Sequence, residues 1–147
     1  MNKDVKIKLV RENAKMPAYA TDGAAAFDLH AAIDTPVTIP SHGRKMIPTG
    51  IAISIPGDTV AILCARSGLS CKKGITAANG IGVIDSDYRG EISFCALNTS
   101  DEDYTVEPDE RIAQLMIMPV FHANLIEVNE LDKTERGEGG FGSTGKQ

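Results

Sequence analysis

Apolar and polar residues alternate in short runs along this 147-residue chain, and a turn former interrupts the pattern about every ten residues. A chain patterned this way builds strands of a few residues with one apolar face, and it leaves little room for helix. Val5, Ile7 and Leu9 alternate with Lys6 and Lys8, and Val37 and Ile39 make a short strand closed by Pro40. Ile51, Ile53 and Ile55 alternate with Ala52 and Ser54 up to Pro56 and Gly57, and Val60, Ile62 and Cys64 keep the same rhythm. Residues 111–120 are apolar on both faces, which predicts a strand covered on both sides. Together these runs predict an all-β fold, a jelly-roll-like β-barrel or sandwich.

The one helix expected is short. It covers residues 67–73, with Ser67 as N-cap and Gly74 just past its end. Residues 134–147, TERGEGGFGSTGKQ, are Gly-rich, polar and without period, so they cannot pack a core. Residues 1–133 are therefore expected as one domain and residues 134–147 as a mobile arm. From Leu131 to Phe141 an extended chain spans about 33–36 Å, against a domain diameter of roughly 30–40 Å. The arm can reach a neighbouring subunit as easily as its own.

Bulk properties exclude several classes. The formal net charge is −5 and the pI about 5.1, which offers no broad surface for nucleic acid. Cys64, Cys71 and Cys95 form no CxxC pair, as expected of reduced, partly buried thiols in a cytosolic protein. No run approaches the roughly 18 apolar residues of a membrane span. The expected setting is cytoplasmic.

Chemistry concentrates in a few places. GVIDSDYRG (residues 82–90), followed by EISFCAL, reads as two arms of a β-hairpin whose turn carries Asp85, Tyr88 and two glycines. Such a turn is either an ordinary surface turn or a clamp on a small planar molecule. Arg66, Ser67 and Gly68 stand where a strand enters the short helix, and free N–H groups there suit phosphate; a plain cap explains the same residues. Gly140 to Lys146 nearly spells a phosphate-binding P-loop, but Gln147 replaces the Ser or Thr and no helix follows in this sequence. What survives is an anion nest with Arg136, Ser143 and Thr144 as donors and Phe141 able to stack on a base, or else an inert tail. Strand alternation puts Arg111 and Ala113 on one face and Ile112 and Gln114 on the other, and Gln114 needs a partner for its amide. Asp28 is an acid within the apolar segment AAAFDLHA. It suits a turn or part of a metal site.

Taken in order, GAAAFDL, ARSGLSCKKGI, NGIGVIDSDYRGEI, DERIAQLMI and RGEGGFGSTG resemble the five motifs of the homotrimeric dUTPases, enzymes that hydrolyse deoxyuridine triphosphate. The resemblance runs from Gly23 to Gly145. It implies a β jelly roll assembled as a homotrimer, with active sites at subunit interfaces and the arm closing over another subunit's site. It implies hydrolysis of dUTP to dUMP and pyrophosphate, supplying dUMP for thymidylate synthesis and keeping uracil out of DNA. Asp85 would be the catalytic base that activates water for attack on the α-phosphate. Tyr88 would lie under the deoxyribose, leaving no room for a 2′-hydroxyl. Asn79 and the backbone of Gly82, Val83 and Ile84 would pair with uracil, with Ser93 lining the pocket. Arg66, Ser67, Gly68 and Gln114 would bind phosphates. Arg136, Gly142, Ser143 and Thr144 would add to them from the arm, and Phe141 would stack on uracil. Asp28 would orient waters of a Mg²⁺ carried mainly by the triphosphate. Arg111 would support the site rather than touch substrate.

Two departures stand out. Ala26-Phe27 replace the usual Gly-Tyr, and Ser70-Cys71 occupy positions in the helix that are usually small or nonspecific. A dCTP deaminase-like enzyme on the same fold is the first alternative, but the return strand GEISFCAL lacks the Thr-Leu-Glu-type stretch of that group. A nucleotide-binding regulatory protein is the second.

Overall fold

The computed structural model describes residues 3–140. Eleven strands and one helix follow in the order β1 (Lys6–Leu9), β2 (Phe27–His30), β3 (Val37–Ile39), β4 (Arg44–Pro48), β5 (Ile51–Ser54), β6 (Thr59–Ala65), α1 (Ser67–Lys73), β7 (Ile75–Ala77), β8 (Gly82–Ile84), β9 (Ser93–Asn98), β10 (Tyr104–Val106) and β11 (Arg111–Pro119). They pair as a four-stranded sheet β2-β11-β6-β8, a three-stranded sheet β4-β9-β7, and the pairs β1-β5 and β3-β10. Every pairing is antiparallel. The architecture is the jelly-roll-like β fold that the alternation predicts.

The core lies between the sheets. Leu29, Ile39, Ile47, Phe94, Ile112 and Leu115 are fully buried; they come from five strands, with β11 supplying the last two. Each such side chain contributes about 1.5–3 kcal/mol by leaving water. Asn98 is buried among the apolar residues, as are Thr49 and Thr59, and its amide is fully employed. It donates to the carbonyls of Ile39 (3.2 Å) and Glu102 (2.7 Å) and accepts from the Ser100 N–H (2.9 Å) and hydroxyl (2.8 Å). A buried amide without these partners would cost about 1–3 kcal/mol.

Four local expectations need correction. The arms of the expected hairpin do not pair with each other: β8 pairs with β6, whereas β9 lies between β4 and β7. The turn between them crosses from one sheet to the other. The N-cap of α1 is Arg66 in an extended conformation with no side-chain cap bond, so Ser67 is the first helical residue; Gly74 ends the helix at φ 69° as expected. A bulge between Arg111 and Ala113 breaks the alternation of β11, so Ile112 and Ala113 are both buried and Arg111 is left exposed. In β6 the core face is Thr59, Ala61 and Leu63, while Val60, Ile62 and Cys64 face outward, half-buried. Both faces of TVAILCA are apolar, so alternation could not choose between them.

That outward face continues across the sheet. Gln114, Met116 and Met118 stand opposite Cys64, Ile62 and Val60, and the neighbouring Val83 is exposed. After Pro119 no described residue joins a strand, and Phe121, Leu125, Ile126 and Leu131 are exposed. Residues 121–138 are exposed throughout. Among the described residues no helix is long and apolar enough to cross a membrane.

Candidate active site

Two sheet-switching turns build a cavity of about 450 Å³. The first, after β7, is a tight turn in which the Gly80 N–H bonds to the Ala77 carbonyl (3.0 Å) and Ala78 is tied to Cys95 (2.8 Å), presenting Asn79 at its tip. The second follows β8. There the Tyr88 N–H reaches the Asp85 carbonyl at 3.2 Å, so the Asp85 carboxylate and the Tyr88 ring face one space. Arg89 folds back and donates to the carbonyls of Ser86 (2.7 Å) and Tyr88 (2.8 Å), bracing the turn.

The cavity gathers the expected base and sugar residues: Asn79, Gly82, Val83, Ile84, Asp85, Tyr88 and Ser93 all line it. β8 is the last strand of its sheet, so among the described residues no strand pairs with its outer edge. That edge offers main-chain donors and acceptors at fixed spacing, as base recognition requires. No side chain among the described residues hydrogen-bonds to the Asp85 carboxylate, which is exposed. Tyr88 is held in two ways. Its hydroxyl donates to the Glu91 carbonyl at 3.2 Å. Its ring lies so close over Gly90 that a Cβ there would fall 2.2 Å from the phenolic oxygen.

Sequence reasoning missed part of the wall. Met46 and Leu63 come from strands that are distant in sequence, and no local pattern marks them. Glu91, Ile92 and Cys95 follow the turn and also line the cavity. Glu91 carries a bidentate ion pair with Arg11, Nε to Oε1 at 2.5 Å and Nη2 to Oε2 at 2.9 Å, and accepts the Gly50 N–H at 2.9 Å. The Arg11 hydrogen bond outweighs burial and holds the Glu91 carboxyl below its ordinary value of 4.5.

The expected phosphate residues gather apart from that cavity. Arg66 caps α1 and donates from Nε to Asp28 Oδ1 (3.0 Å) and from Nη1 to the Arg111 carbonyl (3.1 Å). Arg111 Nη1 takes the other Asp28 oxygen at 3.1 Å. Ser67 and Gly68 begin the helix, and the Gln114 amide donates to the Ala65 carbonyl at 3.0 Å. Within one chain these groups and the base cavity form two clusters. Arg136 is exposed and donates to the Gly139 carbonyl in its own turn at 2.8 Å. Phe141, Gly142, Ser143 and Thr144 lie outside the described residues.

Asp28 tests the metal expectation. Among the described residues no three His, Cys, Asp or Glu side chains gather as a metal site, and each Asp28 oxygen already accepts one guanidinium hydrogen. Each oxygen keeps a second lone pair. The carboxylate therefore fits an ion held at one remove, through water, and not one ligated directly. The three cysteines are free thiols; Cys71 is exposed, not partly buried.

Known proteins match this chain over nearly its full length. The family model for dUTPase matches residues 12–145. The deoxyuridine 5'-triphosphate nucleotidohydrolase of Fusobacterium nucleatum is 45% identical over 145 residues, covering 98% of this chain and 99% of its own. That of Desulfitobacterium hafniense is 49% identical over 144 residues, covering 96% and 95%. Among solved structures, Staphylococcus bacteriophage 80alpha dUTPase with dUPNHPP superposes with a TM-score of 0.89 at 30% identity, covering 97% of this chain and 99% of that one. With a matching model over most of its length and relatives near half identical from end to end, the chain belongs to the dUTPase family.

Proposed function

We propose that the chain hydrolyses dUTP to dUMP and pyrophosphate, with Asp85 as the base. The observation that carries this reading is that Asp85 and Tyr88 share one cavity wall beside the edge of β8 that no strand among the described residues pairs with. Uracil pairs with the main chain of Gly82, Val83 and Ile84 and with Asn79, and Ser93 lines the far side. The Tyr88 ring packs under the deoxyribose and excludes a 2′-hydroxyl. Asp85 takes a proton from a water whose oxygen attacks the α-phosphorus. The bond to the bridging oxygen breaks and pyrophosphate leaves. A positioned base of this kind contributes about 10²–10⁴ in rate.

Arg66, Ser67, Gly68 and Gln114 hold the phosphates, joined by Arg136, Gly142, Ser143 and Thr144, while Phe141 covers the base. Asp28 would hold Mg²⁺ through water, and the ion would supply neutralisation of charge on the triphosphate oxygens. The separation of the two clusters within one chain supports a site completed by a neighbouring subunit. The apolar outer face around Ile62 and Met116, with the exposed stretch after Pro119, supplies the contacts of a homotrimer. Activity on dUTP provides dUMP for thymidylate synthesis and limits uracil in DNA. Pyrophosphate release from each dNTP, with and without Mg²⁺, tests the reading. Release from dUTP alone supports it, ammonia release from dCTP would favour a deaminase, and no release would favour a binding protein. A light-scattering mass three times that of the chain supports the trimer.

A further inference from the structure

We propose that Glu91 is a positioning residue for the sugar pocket, and that its ion pair with Arg11 sets where the Tyr88 ring stands. The inference rests on the proposed role of Tyr88 in excluding the 2′-hydroxyl. Tyr88 is 46% exposed, so core packing does little to hold its ring. Its hydroxyl has one protein partner among the described residues, the Glu91 carbonyl. Whatever fixes that carbonyl fixes the far end of the ring.

The peptide at residues 91–92 is held from several directions. The Glu91 side chain accepts from Arg11 Nε and Nη2 and from the Gly50 N–H. The Ile92 N–H donates to the Ile51 carbonyl at 2.8 Å, and the Ile92 carbonyl accepts from the Thr49 hydroxyl at 2.5 Å. Arg11 is itself placed by the crossing of the N-terminal segment over Gly50. The Val10 N–H bonds to the Gly50 carbonyl at 2.8 Å. Gly50 sits at φ +70°, and a Cβ on it would lie 2.4 Å from the Ala14 Cβ, so only glycine allows this approach. A residue eighty positions away in sequence thereby reaches the sugar pocket. Arginine suits the task because its fork meets both carboxylate oxygens in one geometry.

The test is the ratio of kcat/KM for dUTP to that for UTP in the full chain, measured for Arg11→Ala, Tyr88→Ala and the double variant. The expected result is a ratio lowered about threefold to tenfold in Arg11→Ala, in keeping with a partly exposed bidentate pair. Tyr88→Ala should lower it further, and the double variant should match Tyr88→Ala, because the two residues act in series. Arg11→Lys, which keeps the charge but loses the fork, should fall between wild type and Arg11→Ala. A uniform loss on both nucleotides, or additive effects in the double variant, would mean that the pair is only structural and would overturn the inference. An unchanged ratio in Arg11→Ala beside a lost ratio in Tyr88→Ala would overturn the inference and leave the sugar reading intact. An unchanged ratio in Tyr88→Ala would overturn both.

Discussion

The Tyr88 ring occupies the space that a side chain at position 90 would need. A Cβ on Gly90 would lie 2.2 Å from the Tyr88 hydroxyl oxygen and 2.5 Å from the carbon that bears it. Gly90 follows from the position of the aromatic ring, not from a special backbone angle. The atoms in conflict are the outer end of a side chain, so Gly90→Ala swings the ring aside and leaves the fold in place. We expect a melting temperature within a few degrees of wild type, and selectivity for dUTP over UTP reduced at least about tenfold. Paired melting and kinetic measurements check both halves.

Asp28 holds two guanidinium groups together, and neutralising it frees both. Asp28→Asn should cost about 1.5–3 kcal/mol of stability, the range for hydrogen bonds to charged groups. It should also raise KM for dUTP, because Arg66 loses the partner that aims it. Urea titration and steady-state kinetics on the same preparation measure the two effects.

The Arg11–Glu91 pair makes a pH prediction with a definite sign. The folded Glu91 carboxyl lies below its ordinary value of 4.5 because Arg11 bonds to its charged form. A lowered folded value means that the pair's stability is fully present above the unfolded value and is lost as pH falls through the folded one. Glu91→Gln should therefore be less stable than wild type at neutral pH, and the gap should close as pH drops below about 4.5. Thermal melts across pH 3 to 7 would reveal a constant gap if the pair carried no such linkage.

Much of this molecule is readable from its residues where one rule acts alone. Ile51, Ile53 and Ile55 turn into the core as their alternation predicts, and Gly74 closes the only helix among the described residues. Reading fails where tertiary partners decide. GVI and SFCALN look like hairpin arms because a turn joins them, but β6 and β4 outcompete each arm for the other. Arg66, not Ser67, is the N-cap, and its side chain bonds to Asp28, a partner 38 positions away, instead of capping the helix. Glu91 carries no local signal at all, since its meaning depends on Arg11 crossing Gly50. The bulge at Arg111 inverts the alternation that would have placed Gln114.

Removing the C-terminal residues should separate stability from turnover. Residues 136–140 make no strand, and among the described residues Arg136 hydrogen-bonds within its own turn. Stopping the chain after Glu135 should leave the melting temperature unchanged while dUTP turnover collapses. Calorimetry of the truncated chain would oppose this if folding were lost with the arm.

Whether Asp85 delivers the attacking water is tested most directly by Asp85→Asn, which keeps size and polarity but removes the base. The account predicts that kcat for dUTP falls by about 10²–10⁴, while equilibrium binding of a non-hydrolysable dUTP analogue stays within a few-fold of wild type. Turnover at the wild-type rate in this variant would contradict it.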